Sequence, residues 1–203
     1  GVDVLVDGKN CLGFSSNDYL GLANHPAVIA AFQQAANQYG VGSGASHLVS
    51  GHCAEHQALE EALAEFTGRP RALLFSTGYM ANVGVIRALM GQGDLVVQDK
   101  LNHASLLDGG FLCRAQFERY AHADITAAQL LLAGNSGQRK LLATDGVFSM
   151  DGDLADLPAL ADIADQNNAW LLVDDAHGFG VLGEGGRGIA EHFAMDINRL
   201  PIL

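Results

Sequence analysis

Trp170-Leu171-Leu172-Val173 runs straight into Asp174-Asp175-Ala176-His177-Gly178, an apolar strand that ends in two carboxylates and an imidazole. In an open α/β sheet, ligands gather at the carboxyl ends of the strands, so Asp174 and His177 are first candidates for chemistry. Taken singly, Asp174 could be a strand-end carboxylate capping the next segment and His177 a hydrogen-bonded turn histidine. Three other segments change that weighing. Ser76-Thr77-Gly78-Tyr79 joins an apolar run to a helix, which places backbone N–H groups at Gly78 and Tyr79, and the positive helix end, where an anion could sit. Leu101 to Asp108 starts a helix after a strand and puts His103 at the same sheet edge. Thr144 to Asp153 also follows a strand, with two glycines to turn the backbone and Ser149 to donate a hydrogen bond. An anion-binding helix start, a histidine, a serine and an Asp/His pair at one sheet edge are the arrangement expected around a phosphorylated cofactor.

Two other patterns carry less. Gly40-x-Gly42-x-Gly44 follows a helix rather than a strand, so it lacks the context of a dinucleotide fingerprint, and no acidic ribose contact follows a strand-glycine-helix unit. His52 and His56 are spaced i, i+4 with Cys53 and Glu55 nearby. Without a third convergent ligand they read as a solvated helix start with a packed imidazole rather than a metal site. The lysines are Lys9, Lys100 and Lys140, and none follows the Asp-Asp-Ala-His segment.

The elements that must position these groups follow from periodicity. Val2–Val6 and Cys11–Phe14 flank Asp7-Gly8 and predict a small hairpin. Helical spacing runs from Pro26 to Tyr39, with Gly40 as the stop, and from Glu55 to Phe66 before Gly68. The glycine-rich stretch between them should be a loop. After Gly68 the chain alternates. Strands are expected at Ala72–Phe75, Leu95–Gln98, Phe117–Tyr120, Lys140–Thr144 and Trp170–Val173. Helices are expected at Met80–Met90, Ala104–Phe111, Thr126–Ala133 and Pro158–Asn167. This βαβ cadence implies an α/β fold with a mostly parallel sheet covered on both faces. The chain reaches Leu200-Pro201-Ile202-Leu203 where such a sheet should continue.

With 203 residues and 49% hydrophobic content, the chain can bury a real core. Its 23 acidic against 11 basic residues give a net charge of -12, which repels phosphate backbones and anionic lipid, so neither nucleic acid nor membrane is an expected partner. Three cysteines with no CxxC spacing point to a reducing, cytoplasmic setting.

Several longer segments carry a resemblance. Ser16-Asn-Asp-Tyr-Leu-Gly21, Gly42-Ser-Gly-Ala-Ser-His-Leu-Val-Ser-Gly51 and His56-Gln-Ala-Leu-Glu60, with the His103, Ser149 and Asp174 to His177 segments, resemble the α-oxoamine synthases, pyridoxal-phosphate enzymes of fold type I. The resemblance covers almost the whole chain. It implies a three-layer large domain with a mostly parallel sheet, truncated before the C-terminal domain. Residues 1–24 would be an N-terminal segment with a small β-hairpin, and 25–203 an incomplete cofactor-binding domain.

The implied cofactor is pyridoxal 5'-phosphate. By the same resemblance, Asp174 faces its pyridine nitrogen, His177 hydrogen-bonds the ring oxygen, His103 stacks on the ring near the reacting carbon, Ser149 supports the cofactor, and Gly78 and Tyr79 bind the phosphate. The catalytic set would be His103, Asp174 and His177, with Asn17 and His103 toward substrate. The chain is most similar to the biotin-pathway members, which condense L-alanine with a pimeloyl thioester on acyl carrier protein or coenzyme A and release carbon dioxide. Glycine-using members such as glycine C-acetyltransferase share most of these motifs. Homodimers are implied, with the Gly40 to Gly51 loop at the interface. The family's Schiff-base lysine lies beyond the Asp-Asp-Ala-His segment, and Lys100 is not at the matching position, so this chain alone should be inactive. The competing class is a truncated paralogue that keeps only the fold.

Overall fold

In the central sheet, successive residues of each strand point to opposite faces, and both faces are apolar. The computed structural model describes residues 2–203, and the chain divides into two compact units, the first ending at Glu65 and the second Phe66–Leu203.

In the first unit, β1 (Asp3–Val6) and β2 (Lys9–Leu12) pair antiparallel, from Asp3 opposite Leu12 to Val6 opposite Lys9. The turn residues Asp7 and Gly8 have φ of 50° and 77°. Two left-handed residues give the turn whose twist matches the strands it joins. Helix α1 (Pro26–Tyr39) opens with Pro26 at its first position, and the His25 ring accepts from the Ala27 N–H at 3.3 Å. Gly40, at φ 81°, ends it. The stretch from Gly40 to Ser46 is irregular, as its composition required, and a π turn over His47–Gly51 follows. Gly51 is obligatory there, because a Cβ would run into the Ala45 carbonyl. Helix α2 spans Ala54–Thr67.

The second unit holds four parallel strands, β3 (Leu95–Asp99), β4 (Gln116–Tyr120), β5 (Lys140–Asp145) and β6 (Ala169–Asp174), in the order β4-β3-β5-β6. Leu95, Val97, Leu142, Leu171 and Val173 bury against the residues of α5 (Ile125–Gly134) and α6 (Leu157–Gln166), including Leu132, Leu157 and Leu160. Val96, Leu141, Ala143 and Leu172 turn the other way, toward Ile86 of α3 (Gly78–Leu89) and Leu106 of α4 (Ala104–Leu112). The result is three layers, the fold class expected. Each fully buried leucine or isoleucine contributes about 1.5–3 kcal/mol. Asp124 and Asp156 start α5 and α6 by accepting from the N–H groups of Ala127 and Ala159.

The order matters for function. From β3 the chain moves outward to β4, then crosses back to β5 on β3's other side. Connections leaving β3 and β5 therefore diverge, and open α/β sheets bind ligands outside the carboxyl ends of the strands at such a point.

Three local outcomes differ from expectation or add to it. Ala72–Phe75 forms no strand: the segment joins no ladder, and Leu73 is exposed. Apolar composition gives strand propensity, but a strand exists only with a hydrogen-bonding neighbour, and none among the described residues pairs with it. At the other end, Ile202 makes a parallel bridge to Leu172, with the Val173 N–H donating to the Ile202 carbonyl at 3.0 Å, so the sheet does continue past β6. A short helix, α7 (Ile189–His192), was not expected. Among the described residues no helix is long and apolar enough to cross a membrane.

Candidate active site

The site grows from the carboxyl edge of the sheet. Asp174 ends β6 and Asp145 ends β5, and the two are direct register partners, so two carboxylates stand side by side. Asp174 is half-buried, and both of its oxygens accept hydrogen bonds: Oδ2 from Asn82 Nδ2 at 2.7 Å and Oδ1 from the Ala176 N–H at 3.0 Å. Asp145 is buried, and burial, reinforced by the negative charges of Asp174 and Asp99, pushes its carboxyl up to about 7 even though the His103 N–H donates to it.

His103 caps α4. Its main-chain N–H donates to Asp145 Oδ2 at 2.8 Å, and its Nδ1 lies 2.7 Å from Ser105 Oγ and accepts from the Ser105 N–H at 3.3 Å. Ser105 Oγ in turn accepts from Asn82 Nδ2 at 2.9 Å. Asn82 therefore binds Asp174 and the His103 cap together. It reaches both because α3 and α4 lie close: a Cβ on Gly109 would sit 2.7 Å from Ile86 Cδ1.

Gly78 and Tyr79 open α3. Thr77 Oγ1 takes the Met80 N–H at 3.1 Å, and the first-turn N–H groups of Gly78 and Tyr79 have no carbonyl of the helix to bond. A Cβ at Gly78 would meet nothing within 4 Å, so the approach to this helix start is open. The Tyr79 hydroxyl donates to Asp108 on α4, which pushes the Tyr79 ionisation up.

Asp175, the neighbour of Asp174, faces away from this group. It is buried, its Oδ2 accepts from the Ile189 N–H at 2.9 Å, and burial pushes it up to about 6. Asp175 thus holds the start of α7, while Asp174 Oδ1 holds the Ala176 N–H of the segment that follows β6. His177 is half-buried in the turn that follows.

Ser149 is exposed in the turn after β5, closed by a hydrogen bond from the Gly152 N–H to the Phe148 carbonyl at 2.8 Å. That turn is tethered by His122, whose Nε2 lies 2.8 Å from Asp153 Oδ2 and whose Nδ1 lies 3.1 Å from Asp99 Oδ1 at the end of β3. His122 is raised against the opposing effect of burial by hydrogen bonds and charge from Asp99 and Asp153.

Asn17 lies in the first unit, where its Oδ1 meets the Tyr19 hydroxyl at 3.5 Å. His52 is joined there by His47 and Glu60, whose ligand atoms fall within 4.8 Å of one another. Within that group His52 Nε2 lies 3.7 Å from Glu60 Oε2, and His56 Nδ1 accepts from the Cys53 N–H at 3.2 Å.

Hydrogen bonds thus connect Asp174 and His103, with Gly78 and Tyr79 one turn before Asn82. Among the described residues they do not tie Ser149 to that group. Asn82, Ser105 and Asp145 are the members that sequence reasoning missed. Their signal was present: Asn82 lies four residues after Gly78 on the same helix face, and Asp145 ends its strand as Asp174 does.

A family model described as aminotransferase class I and II matches residues 9–199. The chain belongs to the aminotransferase class I and II family. Within the family, it is 65% identical over 201 residues to 8-amino-7-oxononanoate synthase of Cellvibrio japonicus (strain Ueda107), across 99% of this chain and 50% of that protein. Among solved structures, serine palmitoyltransferase of Sphingomonas wittichii superposes with a TM-score of 0.93 at 35% identity, covering 98% of this chain and 50% of its own. The 8-amino-7-oxononanoate synthase of Francisella tularensis gives 0.78 at 34%, covering 92% and 51%. The fold is thus the pyridoxal-phosphate fold type I. The chain spans about half the length of the curated relatives it matches.

Proposed function

We propose that the complete protein containing this chain condenses L-alanine with a pimeloyl thioester, carried on acyl carrier protein or coenzyme A, to 8-amino-7-oxononanoate and carbon dioxide in biotin synthesis, with pyridoxal 5'-phosphate as cofactor. The observation that carries this reading is the 65% identity to the Cellvibrio enzyme across 99% of the chain. Serine palmitoyltransferase of Sphingomonas wittichii matches the backbone at a TM-score of 0.93, but its sequence is only 35% identical. Backbone likeness follows the shared fold, whereas substrate choice lies in the side chains grafted onto it.

The residues present fit the cofactor. Asp174 is an acidic group held by two donors at a strand end, suited to a protonated ring nitrogen. The open start of α3 at Gly78 and Tyr79 suits a phosphate. When bound, the cofactor supplies a conjugated ring that takes up electron density from the α-carbon of the amino acid.

The protein's part is orientation and charge. Asp174 keeps the proton on the ring nitrogen, which makes the ring the stronger acceptor. His103 would stack on the cofactor ring, and Ser105 Oγ, 2.7 Å from its Nδ1, holds the imidazole's tilt. His177 would hydrogen-bond the ring oxygen, and Ser149 would support the cofactor from the turn that His122 tethers. Asn17 contributes to the acyl subsite. The protein acts as a cytoplasmic homodimer with the Gly40 to Gly51 loop at its interface. The lysine that anchors the cofactor is none of Lys9, Lys100 or Lys140, and the Lys140 amine donates to the Leu132 carbonyl at 2.6 Å.

The test is product formation and carbon dioxide release by the complete protein with L-alanine or glycine against pimeloyl or acetyl thioester. L-Alanine with the pimeloyl thioester should be fastest. A preference for glycine with acetyl thioester would move the assignment to glycine C-acetyltransferase.

A further inference from the structure

We infer that Asn82 and Asp145 are positioning residues that lock the orientation of His103 relative to Asp174. The inference rests on the proposed function, in which those two residues bracket the cofactor ring.

The hydrogen bonds form a closed circuit. Asn82 Nδ2 reaches Asp174 Oδ2 at 2.7 Å and Ser105 Oγ at 2.9 Å, and Ser105 Oγ lies 2.7 Å from His103 Nδ1. The His103 N–H returns to Asp145 Oδ2 at 2.8 Å, and Asp145 is the register partner of Asp174 on the adjacent strand. The circuit thus fixes His103 at two points, the ring through Ser105 and the main chain through Asp145.

A buried polar network stiffens the second point. The Asp145 N–H donates to Asn102 Oδ1 at 3.1 Å, Asn102 Nδ2 donates to the Ala143 carbonyl at 2.9 Å, and Gln98 Nε2 donates to the Leu106 carbonyl at 2.8 Å. Gln98 and Asn102 are both buried. A satisfied network of this kind holds one geometry, because every alternative leaves a buried polar group unpaired. The segment bearing His103 is therefore stapled to β5 rather than free to follow a ligand. A ring that must lie flat on another ring needs that constraint, since a displacement of about 1 Å near reacting atoms can cost roughly 100-fold in rate.

Asn82 does a second thing. By donating to Asp174 Oδ2 it also aims the carboxyl that faces the ring nitrogen, so its loss should loosen that group as well.

The experiment compares Asn82→Ala, Asp145→Ala and Asp145→Asn with the wild type in the complete protein. Three readouts are taken: pyridoxal 5'-phosphate affinity, the pH dependence of the bound cofactor's absorption, and amide exchange at His103 in the apoprotein. Asn82→Ala should weaken cofactor binding about tenfold and move the spectral midpoint away from its wild-type pH. Asp145→Ala should speed His103 amide exchange about tenfold, and Asp145→Asn, which keeps an acceptor oxygen, should restore exchange to within about threefold of wild type. If the wild type binds the cofactor and the variants match it in all three readouts, the positioning inference is wrong while the function stands. If His103 exchange responds as expected but the wild type shows no cofactor binding, the functional reading is wrong and the inference falls with it.

Discussion

Replacing Asp145 with asparagine should stabilise the folded apoprotein, and by an amount that grows with pH. The carboxyl is buried and raised from 3.8 to about 7, chiefly by desolvation. Between those values the folded state retains a proton that the unfolded state has released. Fewer protons are then bound on unfolding, so stability falls as pH rises through that window. At about 1.4 kcal/mol per unit, a shift of about 3 units sets a ceiling near 4 kcal/mol, of which about 2–3 kcal/mol falls between pH 5 and pH 8. Asparagine cannot ionise, yet its oxygen can still accept from the His103 N–H. The measurement is urea denaturation of wild-type and Asp145→Asn apoprotein, as the complete protein, at pH 5 and pH 8. The stability difference should move by about 2–3 kcal/mol in favour of asparagine at the higher pH. A difference that stays constant across that range would refute the buried, protonated carboxyl.

Three other outcomes are expected. His122→Leu should destabilise the complete protein more at pH 6 than at pH 9. The His122 ring is raised by Asp99 and Asp153, so its contribution is present below the unfolded value and is lost as pH rises through the folded one; thermal melts at both pH values check this. Gly109→Val should cost about 1–3 kcal/mol by pushing α4 off Ile86, read from denaturant midpoints. The 203-residue chain by itself, mixed with pyridoxal 5'-phosphate and reduced with borohydride, should give no active-site lysine adduct in mass spectrometry and no turnover. A stoichiometric adduct on Lys100 with activity would contradict that.

The sheet and its helices were legible because their signals are local: apolar runs of strand length bounded by turns, and helical spacing closed by Pro26, Gly40 and Gly68. Ala72–Phe75 shows where that stops, since its residues are strand-like but pairing depends on a neighbour that sequence does not display. The Asp174-Asp175 pair was equally visible, but not the division of labour within it. Adjacent strand residues face opposite sides, so one carboxylate joins Asn82 and the other holds the Ile189 N–H. Asn82 and Asp145 were hidden because their importance lies in hydrogen bonds across 92 and 42 residues of chain.

In the proposed function, Asp174 holds a pyridinium nitrogen. Nitrogen NMR of the complete protein loaded with pyridoxal 5'-phosphate labelled at the ring nitrogen tests it directly. The wild type should show a protonated ring nitrogen at pH 8, and Asp174→Asn, still folded and loaded, should show an unprotonated one with turnover lowered roughly 100-fold or more. The same nitrogen shift in both proteins would contradict the assignment of Asp174.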